Sequence, residues 1–277
     1  MADLGTFNTL QIIEQSPYGA FLDGGELGKV LLPTKLCPKG YKTGDTVEVF
    51  LYLDGDNQAV ATTQRPYATV GQFALLKVVA TNSAGAFLNW GLRKDLLVPF
   101  SEQRRPMQEG HSYLVYINLD DVGRVVASSK IEKFLDQWPI TYEPGQAVDL
   151  IICEPSDIGI KAIINHRHWG VLYEAETFKK LKYGQKIRGY IKQVREDEKI
   201  DLTLHRPGHQ KLSEMAQRIM EKLQQNDGFL PLNDKSPPEV IYKTFGESKK
   251  TFKNAIGTLY KSRLITIDNT GIKMKER

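Results

Sequence analysis

The first half of the chain contains one sequence pattern twice, at positions 66 residues apart. Gly-Ala-Phe-Leu at residues 19–22 returns at residues 85–88, and the register between the copies needs no gap from residue 5 to residue 61. An internal repeat of this kind is a small folding unit that is used more than once. We therefore expect tandem small domains that bind a partner, rather than one domain built around a single active site.

A third and weaker copy follows at a shift of 140 residues. Its shared positions are mostly glycines and apolar residues, such as Gly19 with Gly159 and Gly44 with Gly184. Glycines persist where the backbone needs positive φ or a close approach, so these positions report the fold rather than the surface. We predict a linker at 130–143 and four domains. Their ranges are 1–66, 67–140, 141–208 and 209–277.

Each repeat is predicted to form five short β-strands. The irregular connection between the third and fourth strands favours a small closed barrel, and the five-stranded OB-fold is the leading candidate. Closure also removes the edge strands that a flat five-stranded sheet would expose. In the first copy the predicted strands, from alternation and turn residues, cover 9–14, 18–22, 29–33, 46–53 and 58–62.

The C-terminal residues follow a different pattern. Apolar residues at helical spacing predict three helices, with Ser236 and Ser248 as N-caps of the second and third and Gly246 as the end of the second. A hairpin follows around residues 268–271. The order helix, helix, helix, hairpin is that of a winged helix. The predicted helices cover 210–225, 238–245 and 248–262.

The repeated pattern resembles the S1-type RNA-binding domain, which is an OB-fold. The resemblance rests on Gly-Ala-Phe-Leu, the glycine turn, the apolar strand, and Gly-Asp-Thr-Val-Glu-Val at residues 44–49 before a two-stranded hairpin. As a whole, three such repeats with a basic winged-helix-like tail resemble the bacterial conserved virulence factor B family, which is described as RNA-binding. This resemblance implies RNA binding and a regulatory role for the chain. We expect this regulation to be post-transcriptional.

The resemblance also implies that the aromatic residue of the Gly-Ala-Phe motif stacks on a base. In this chain the corresponding residues are Phe21 and Phe87, and the alternative is that both are barrel core residues. The third repeat has Lys161 at this position. In the third repeat, either a phosphate contact by Lys161 replaces base stacking, or this face of the barrel does not bind RNA.

The third repeat has its own cluster of polar and aromatic residues. Aromatic rings and guanidinium groups stack on unpaired bases, so the cluster is a candidate RNA contact in which the two histidines share one strand face. The alternatives are a metal-binding pair of histidines and a hairpin turn with surface histidines. The cluster consists of His166, Arg167, His168, Trp169 and Tyr173.

Basic residues are concentrated toward the C-terminus. Residues 1–70 carry 5 basic and 8 acidic residues, whereas residues 209–277 carry 13 and 8. A polyanion is therefore expected to bind the third repeat and the tail, where lysines contact phosphate without reading sequence. The alternatives are a solvated or solubilising face and a protein-docking surface. The candidates are Lys179, Lys180, Lys182, Lys186, Arg188 and Lys192 in the repeat, and Lys249, Lys250, Lys253, Lys261 and Arg263 in the tail.

The sequence contains no motif that indicates an enzyme. It has no glycine-rich phosphate loop with a lysine, no nucleophile motif and no metal-ligand spacing, so we expect a non-catalytic protein without cofactors or metal. Two cysteines in different repeats and the lack of a long apolar stretch favour a soluble cytoplasmic protein, and we expect a monomer. The expected partner is single-stranded RNA. The alternatives are a protein-interaction or ribosome-associated scaffold and a DNA-binding regulator that acts through the winged helix.

Overall fold

The computed structural model describes residues 2–173, 181–204 and 214–275. Fifteen strands of this part form three closed five-stranded barrels. In the first barrel they are β1 (Phe7–Ser16), β2 (Gly19–Asp23), β3 (Lys29–Pro33), β4 (Thr46–Leu53) and β5 (Ala59–Thr62). In the second they are β6 (Phe73–Asn82), β7 (Gly85–Asn89), β8 (Leu96–Pro99), β9 (Ser112–Leu119) and β10 (Val125–Ser128). In the third they are β11 (Ala147–Ser156), β12 (Gly159–Ile164), β13 (His168–Leu172), β14 (Lys186–Val194) and β15 (Ile200–Thr203).

All three barrels have the same strand order: first, second, third, fifth and fourth, closing on the first. The third and fifth strands are parallel, and the other neighbours are antiparallel. This is the predicted OB-fold. Pairs across the second and third strands repeat at the predicted shifts, with Phe21 opposite Leu31 and Lys161 opposite Val171. The sequence repeat is therefore a repeat of backbone pairing.

One glycine position shows why the glycines persist through the weakest copy. Gly19, Gly85 and Gly159 begin the second strand of each barrel with φ between 143° and 153°. A Cβ atom at Gly19 would lie 2.0 Å from the carbonyl oxygen of Leu32, and one at Gly159 would lie 2.3 Å from that of Leu172. A side chain cannot fit there without moving the neighbouring strand, so the hairpin requires glycine.

Neighbouring barrels pack through the same outward face. Phe50 on β4 points away from its own barrel and is buried in the core cluster of the second barrel, with its ring centroid 5.6 Å from that of Trp90. Tyr116 holds the equivalent position on β9, and its ring stacks at 4.1 Å on Phe134. Both lie in a cluster that includes Ile163 of the third barrel. The second barrel is thus held by packing on both sides.

The C-terminal residues form a winged helix. Ser248 caps its third helix as predicted, since its Oγ accepts a hydrogen bond from the backbone N–H of Thr251 at 3.1 Å. The predicted cap at Ser236 is wrong, because its Oγ accepts from the backbone N–H of Asn233 instead and Pro237 precedes the second helix without a side-chain cap. No helix in the described ranges is long and apolar enough to cross a membrane. The elements are α1 (Glu214–Gln225), β16 (Phe229–Leu230), α2 (Pro238–Phe245), α3 (Lys249–Lys261), β17 (Ile265–Ile267) and β18 (Ile272–Met274).

Candidate nucleic-acid interface

A groove of about 680 Å³ lies on the outer face of the third barrel, along β12 and β13. Its floor includes Lys161, Trp169 and Val171. Its walls come from the β11–β12 loop, the β14–β15 loop and residues 136–140, which precede the barrel. In OB-folds, the face of strands two and three and the loops that join strands one to two and four to five bind oligonucleotides. The groove occupies this position.

Two tryptophans in the groove each lie beside a cation. The Lys161 Nζ is 5.7 Å from the centroid of the Trp169 ring, and the Arg167 guanidinium carbon is 5.7 Å from that of Trp138. Trp169 is half-buried, whereas Trp138 is 43% exposed. Indole rings offer a surface for stacked bases, and neighbouring cations attract phosphate. The arrangement is suited to unpaired nucleotides.

The charge of the groove is balanced rather than basic. Its lining includes Lys161, Arg195 and Lys199 together with four carboxylates. Arg195 and Lys199 each lie 3.2 Å from the carboxylate of Asp197. The hydrogen bond from Lys199 is the largest contribution that holds the pKa of Asp197 below its ordinary value. The groove therefore supplies stacking, and long-range attraction of a polyanion has to come from other parts of the chain.

Two predicted contact residues belong to the internal hydrogen bonds of the third barrel. His168 is only 2% exposed. Its Nε2 lies 2.8 Å from the carbonyl oxygen of Trp138, which can only accept, so Nδ1 accepts from the Tyr142 hydroxyl at 3.0 Å. Tyr173 donates its hydroxyl hydrogen to Asp201 at 2.9 Å. Both ring nitrogens of His168 are thus engaged, so the prediction of an exposed, RNA-contacting His168 is wrong, and the alternative of a metal-binding histidine pair has no free nitrogen at this residue.

His166 connects the second and third barrels. It lies in the turn at 165–167 with a φ of 59°, so the expected continuous strand face shared with His168 does not form. Its Nδ1 accepts a hydrogen bond from the backbone N–H of Phe73 at 2.9 Å, and its ring stacks on the Phe73 ring at 6.2 Å. Burial, reinforced by nearby Lys186, holds the pKa of His166 below its ordinary value. The hairpin alternative is correct for the turn, but His166 is half-buried and His168 is buried, so neither is an exposed histidine.

Phe21 and Phe87 lie on the outside of their barrels. On β2 the neighbours Ala20 and Leu22 point into the core and are fully buried, whereas Phe21 is half-buried and points the opposite way. Phe87 has the same environment on β7. The alternative that these residues fill the barrel core is therefore wrong. Their contact with RNA stays a prediction.

The predicted basic residues of the third repeat that the structure describes lie on a different side of the barrel from the groove. Lys186, Arg188 and Lys192 alternate with inward-facing residues along β14, which neighbours β11 and β15 rather than the groove strands. Arg188 forms an ion pair of 2.7 Å with Asp149. Lys182 is exposed in the preceding loop. Lys179 and Lys180 lie outside the described residues.

The predicted cations of the tail lie on α3 and directly after it. Lys250, Lys253, Lys261 and Arg263 are exposed, and Lys249 is half-buried at the first turn. The opposite face of α3 is buried through Phe252 and three other apolar residues. The helix therefore presents a cationic face to solvent.

The sequence pattern missed most of the groove walls. Residues 136–140 were predicted as a linker, yet Trp138 lies beside Arg167, and its carbonyl accepts from His168. Arg195 and Lys199 lie in a loop without a distinctive motif. A tryptophan in the predicted linker was the one signal that could have indicated this wall, since tryptophan is a residue on which unpaired bases stack.

Comparisons with known proteins agree with this architecture. Residues 217–274 match the CvfB-like winged helix domain, and residues 4–64 match the S1 domain. The uncharacterized protein YitL of Bacillus subtilis (strain 168) is 28% identical over 278 residues, which covers 94% of this chain and 90% of YitL. Conserved virulence factor B of Staphylococcus saprophyticus is 26% identical over 243 residues, which covers 84% of this chain and 81% of that protein.

Among solved structures, a multidomain protein with nucleic acid binding domains from Streptococcus pneumoniae covers 98% of both chains at 24% identity, with a TM-score of 0.41. The domain matches and the curated relatives confirm the resemblance to the conserved virulence factor B family. The chain is a protein of the nucleic-acid-binding type built from S1 and winged-helix domains.

Proposed function

We propose that this chain, which resembles conserved virulence factor B along most of its length, is a non-catalytic protein that binds single-stranded RNA and regulates gene expression after transcription. The third barrel supplies the base contacts, and the basic tail supplies phosphate contacts. The observation that carries the proposal is the groove along β12 and β13, in which Trp138 and Trp169 each have a cation beside the ring.

The groove supports unpaired rather than double-stranded ligands. Stacking needs a base with a free face, and an exposed ring contributes about 1–3 kcal/mol per stacked base without strong sequence preference. The balanced charge of the groove fits this division of roles. The face of α3 with Lys250 and Lys253 provides the electrostatic attraction that the groove lacks.

The direct test is equilibrium binding of fluorescently labelled single-stranded RNA and duplex DNA to the full chain at two salt concentrations. We expect RNA to bind, with an affinity that falls steeply with salt because phosphate contacts release counterions. Absence of RNA binding at low salt would overturn the proposal. Preference for duplex DNA would favour a regulator that acts through the winged helix, and binding to neither would favour a protein scaffold.

A pair of variants tests the groove itself. Trp138→Ala removes a ring that is 43% exposed and keeps the backbone carbonyl that His168 contacts. We expect RNA affinity to fall about tenfold, which is the effect of one lost base stack. Tyr18→Ala is the control, because Tyr18 is a 76% exposed ring in the β1–β2 loop of the first barrel, which corresponds to the β11–β12 loop in the wall of the groove. An equal effect of both variants would contradict the placement of the site in the third barrel.

A further inference from the structure

A second cavity, of about 400 Å³, lies where the second and third barrels meet. Neither barrel forms it alone, because its lining comes from both. From the second barrel it includes Arg104, Arg105 and Tyr113, and from the third it includes Lys161, Trp169 and Tyr183.

The cavity and the groove share two side chains. Lys161 and Trp169 line both of them. Since these residues lie on β12 and β13 at the centre of the groove floor, the cavity continues the groove toward the second barrel. A strand that stacks on Trp169 is then directed into the junction.

The junction combines cations with aromatic rings and is more basic than the groove. Arg105 is exposed, and its guanidinium carbon lies 5.9 Å from the centroid of the Tyr113 ring. It has no ion pair within the part of the chain that the structure describes, whereas Arg104 is paired with Glu132 at 2.8 Å. The ring of Tyr183 is 43% exposed. Arginine planes and tyrosine rings are the groups on which unpaired bases stack.

The junction is also held in shape by packing that lies behind it. Phe73, Ile151 and Ile163 are buried between the two barrels, and the Tyr116–Phe134 stack borders them. A binding surface that is already formed loses little conformational entropy when its ligand binds. The cavity is therefore a built feature of two fixed barrels.

We propose that the RNA path of the third barrel continues into this junction, where single-stranded RNA contacts Arg105, Tyr113 and Tyr183. This inference rests on the proposed function and extends it. It assigns part of the site to the second barrel, and it makes the site longer than the face of one barrel.

The test compares the affinity of the full chain for labelled oligouridylates of about 4 nucleotides, the shortest site size of one OB-fold, and about 12 nucleotides. Arg105→Gln removes the charge and keeps most of the stem. We expect it to lower the ratio of 12-mer to 4-mer affinity about tenfold, the effect of one lost stacked base or phosphate contact. Lys39→Gln is the matched control, because Lys39 is exposed at the equivalent position of the first barrel, and it should leave that ratio unchanged.

An unchanged ratio in Arg105→Gln would overturn this inference while leaving binding in the groove intact. Failure of the unmodified chain to bind either oligonucleotide would remove the proposed function and this inference together. A 12-mer with photoreactive thiouridine at both ends gives an independent readout. We expect crosslinks to residues 101–116, and crosslinks confined to the third barrel and the tail would contradict the path.

Discussion

Replacement of Phe50 by alanine tests whether the barrels form one packed array. Phe50 belongs to the first barrel, is fully buried, and lies 5.6, 6.3 and 5.6 Å from the ring centroids of Phe7, Tyr52 and Trp90. Truncation of a buried phenylalanine lowers the free energy of unfolding by about 3–5 kcal/mol. We expect about 4–5 kcal/mol here, because three aromatic contacts are lost together.

Tyr190→Ala is the matched control. Tyr190 holds the same strand position in the third barrel and is only half-buried, opposite the exposed Ala147. We expect it to lower the free energy of unfolding by only about 1 kcal/mol. A whole domain is stable by about 5–15 kcal/mol. In Phe50→Ala, the junction between the first and second barrels should therefore unfold at a lower urea concentration than the rest of the chain.

Urea unfolding followed by tryptophan fluorescence measures the difference. The three tryptophans of the chain are Trp90, Trp138 and Trp169. In the Phe50→Ala series Trp138 and Trp169 are replaced by phenylalanine, so that Trp90 alone reports the junction between the first and second barrels; in the Tyr190→Ala series Trp90 and Trp138 are replaced, so that Trp169 alone reports the third barrel. Comparison of each variant with its own parent then gives the change in the free energy of unfolding at the reported site. If Phe50→Ala costs no more than Tyr190→Ala, Phe50 is not buried between two barrels and the packing described above is wrong.

Three further predictions concern pH and the location of the binding site. The pKa of His166 is lowered from 6.5 in the folded chain, so the unfolded chain takes up the proton first as the pH falls. The free energy of unfolding therefore decreases as the pH drops below 6.5 toward the folded pKa. In thermal unfolding measured at several pH values, the melting temperature of His166→Asn should depend less on pH than that of the unmodified chain. Neutralising Lys179, Lys180 and Lys182 together should weaken RNA binding more than Phe21→Ala does in the same titration, and a larger loss from Phe21→Ala would refute this. A fragment of residues 141–277 lacks Trp138 and the second-barrel side of the junction, so it should bind RNA less tightly than the full chain but more tightly than residues 1–140 do, and equal binding by residues 1–140 would contradict the placement of the site.

The barrels were predictable because local and repeated signals agree. The strands of the first barrel carry β-prone apolar runs bounded by turn residues, and the ungapped copy at a shift of 66 residues repeats them, so strand bounds differ from the prediction by only a few residues. The third helix of the tail was fixed by the same kind of local chemistry, since Ser248 caps it. The predicted helix cap at Ser236 was wrong because a serine before a proline can also close a turn. Here the Ser236 Oγ accepts a hydrogen bond from the backbone N–H of Asn233.

The candidate site was harder to predict because its residues come together only through tertiary packing. The turn at Asn165 and His166 has φ values of 47° and 59° without a glycine, so the sequence gives only a weak turn signal there. Burial of His168 depends on Tyr142 and the carbonyl of Trp138, which lie in a segment that was predicted as a linker. Arg105 lines the same cavity as Trp169 and Lys161 only because two barrels meet.

The position of the third barrel in the chain gives a physical reason why its surface differs from the other two. Phe50 and Tyr116 are buried because another barrel packs on each of them. The equivalent Tyr190 precedes a winged helix rather than a fourth barrel, and it stands between Arg188 and Lys192 on the outward side of β14. A face that no longer needs to bury apolar side chains against a neighbouring barrel can carry charge at little cost in stability. Charge therefore accumulates on the outward side of β14, a different side of the third barrel from the groove, where it can supply the attraction of a polyanion that the groove lacks.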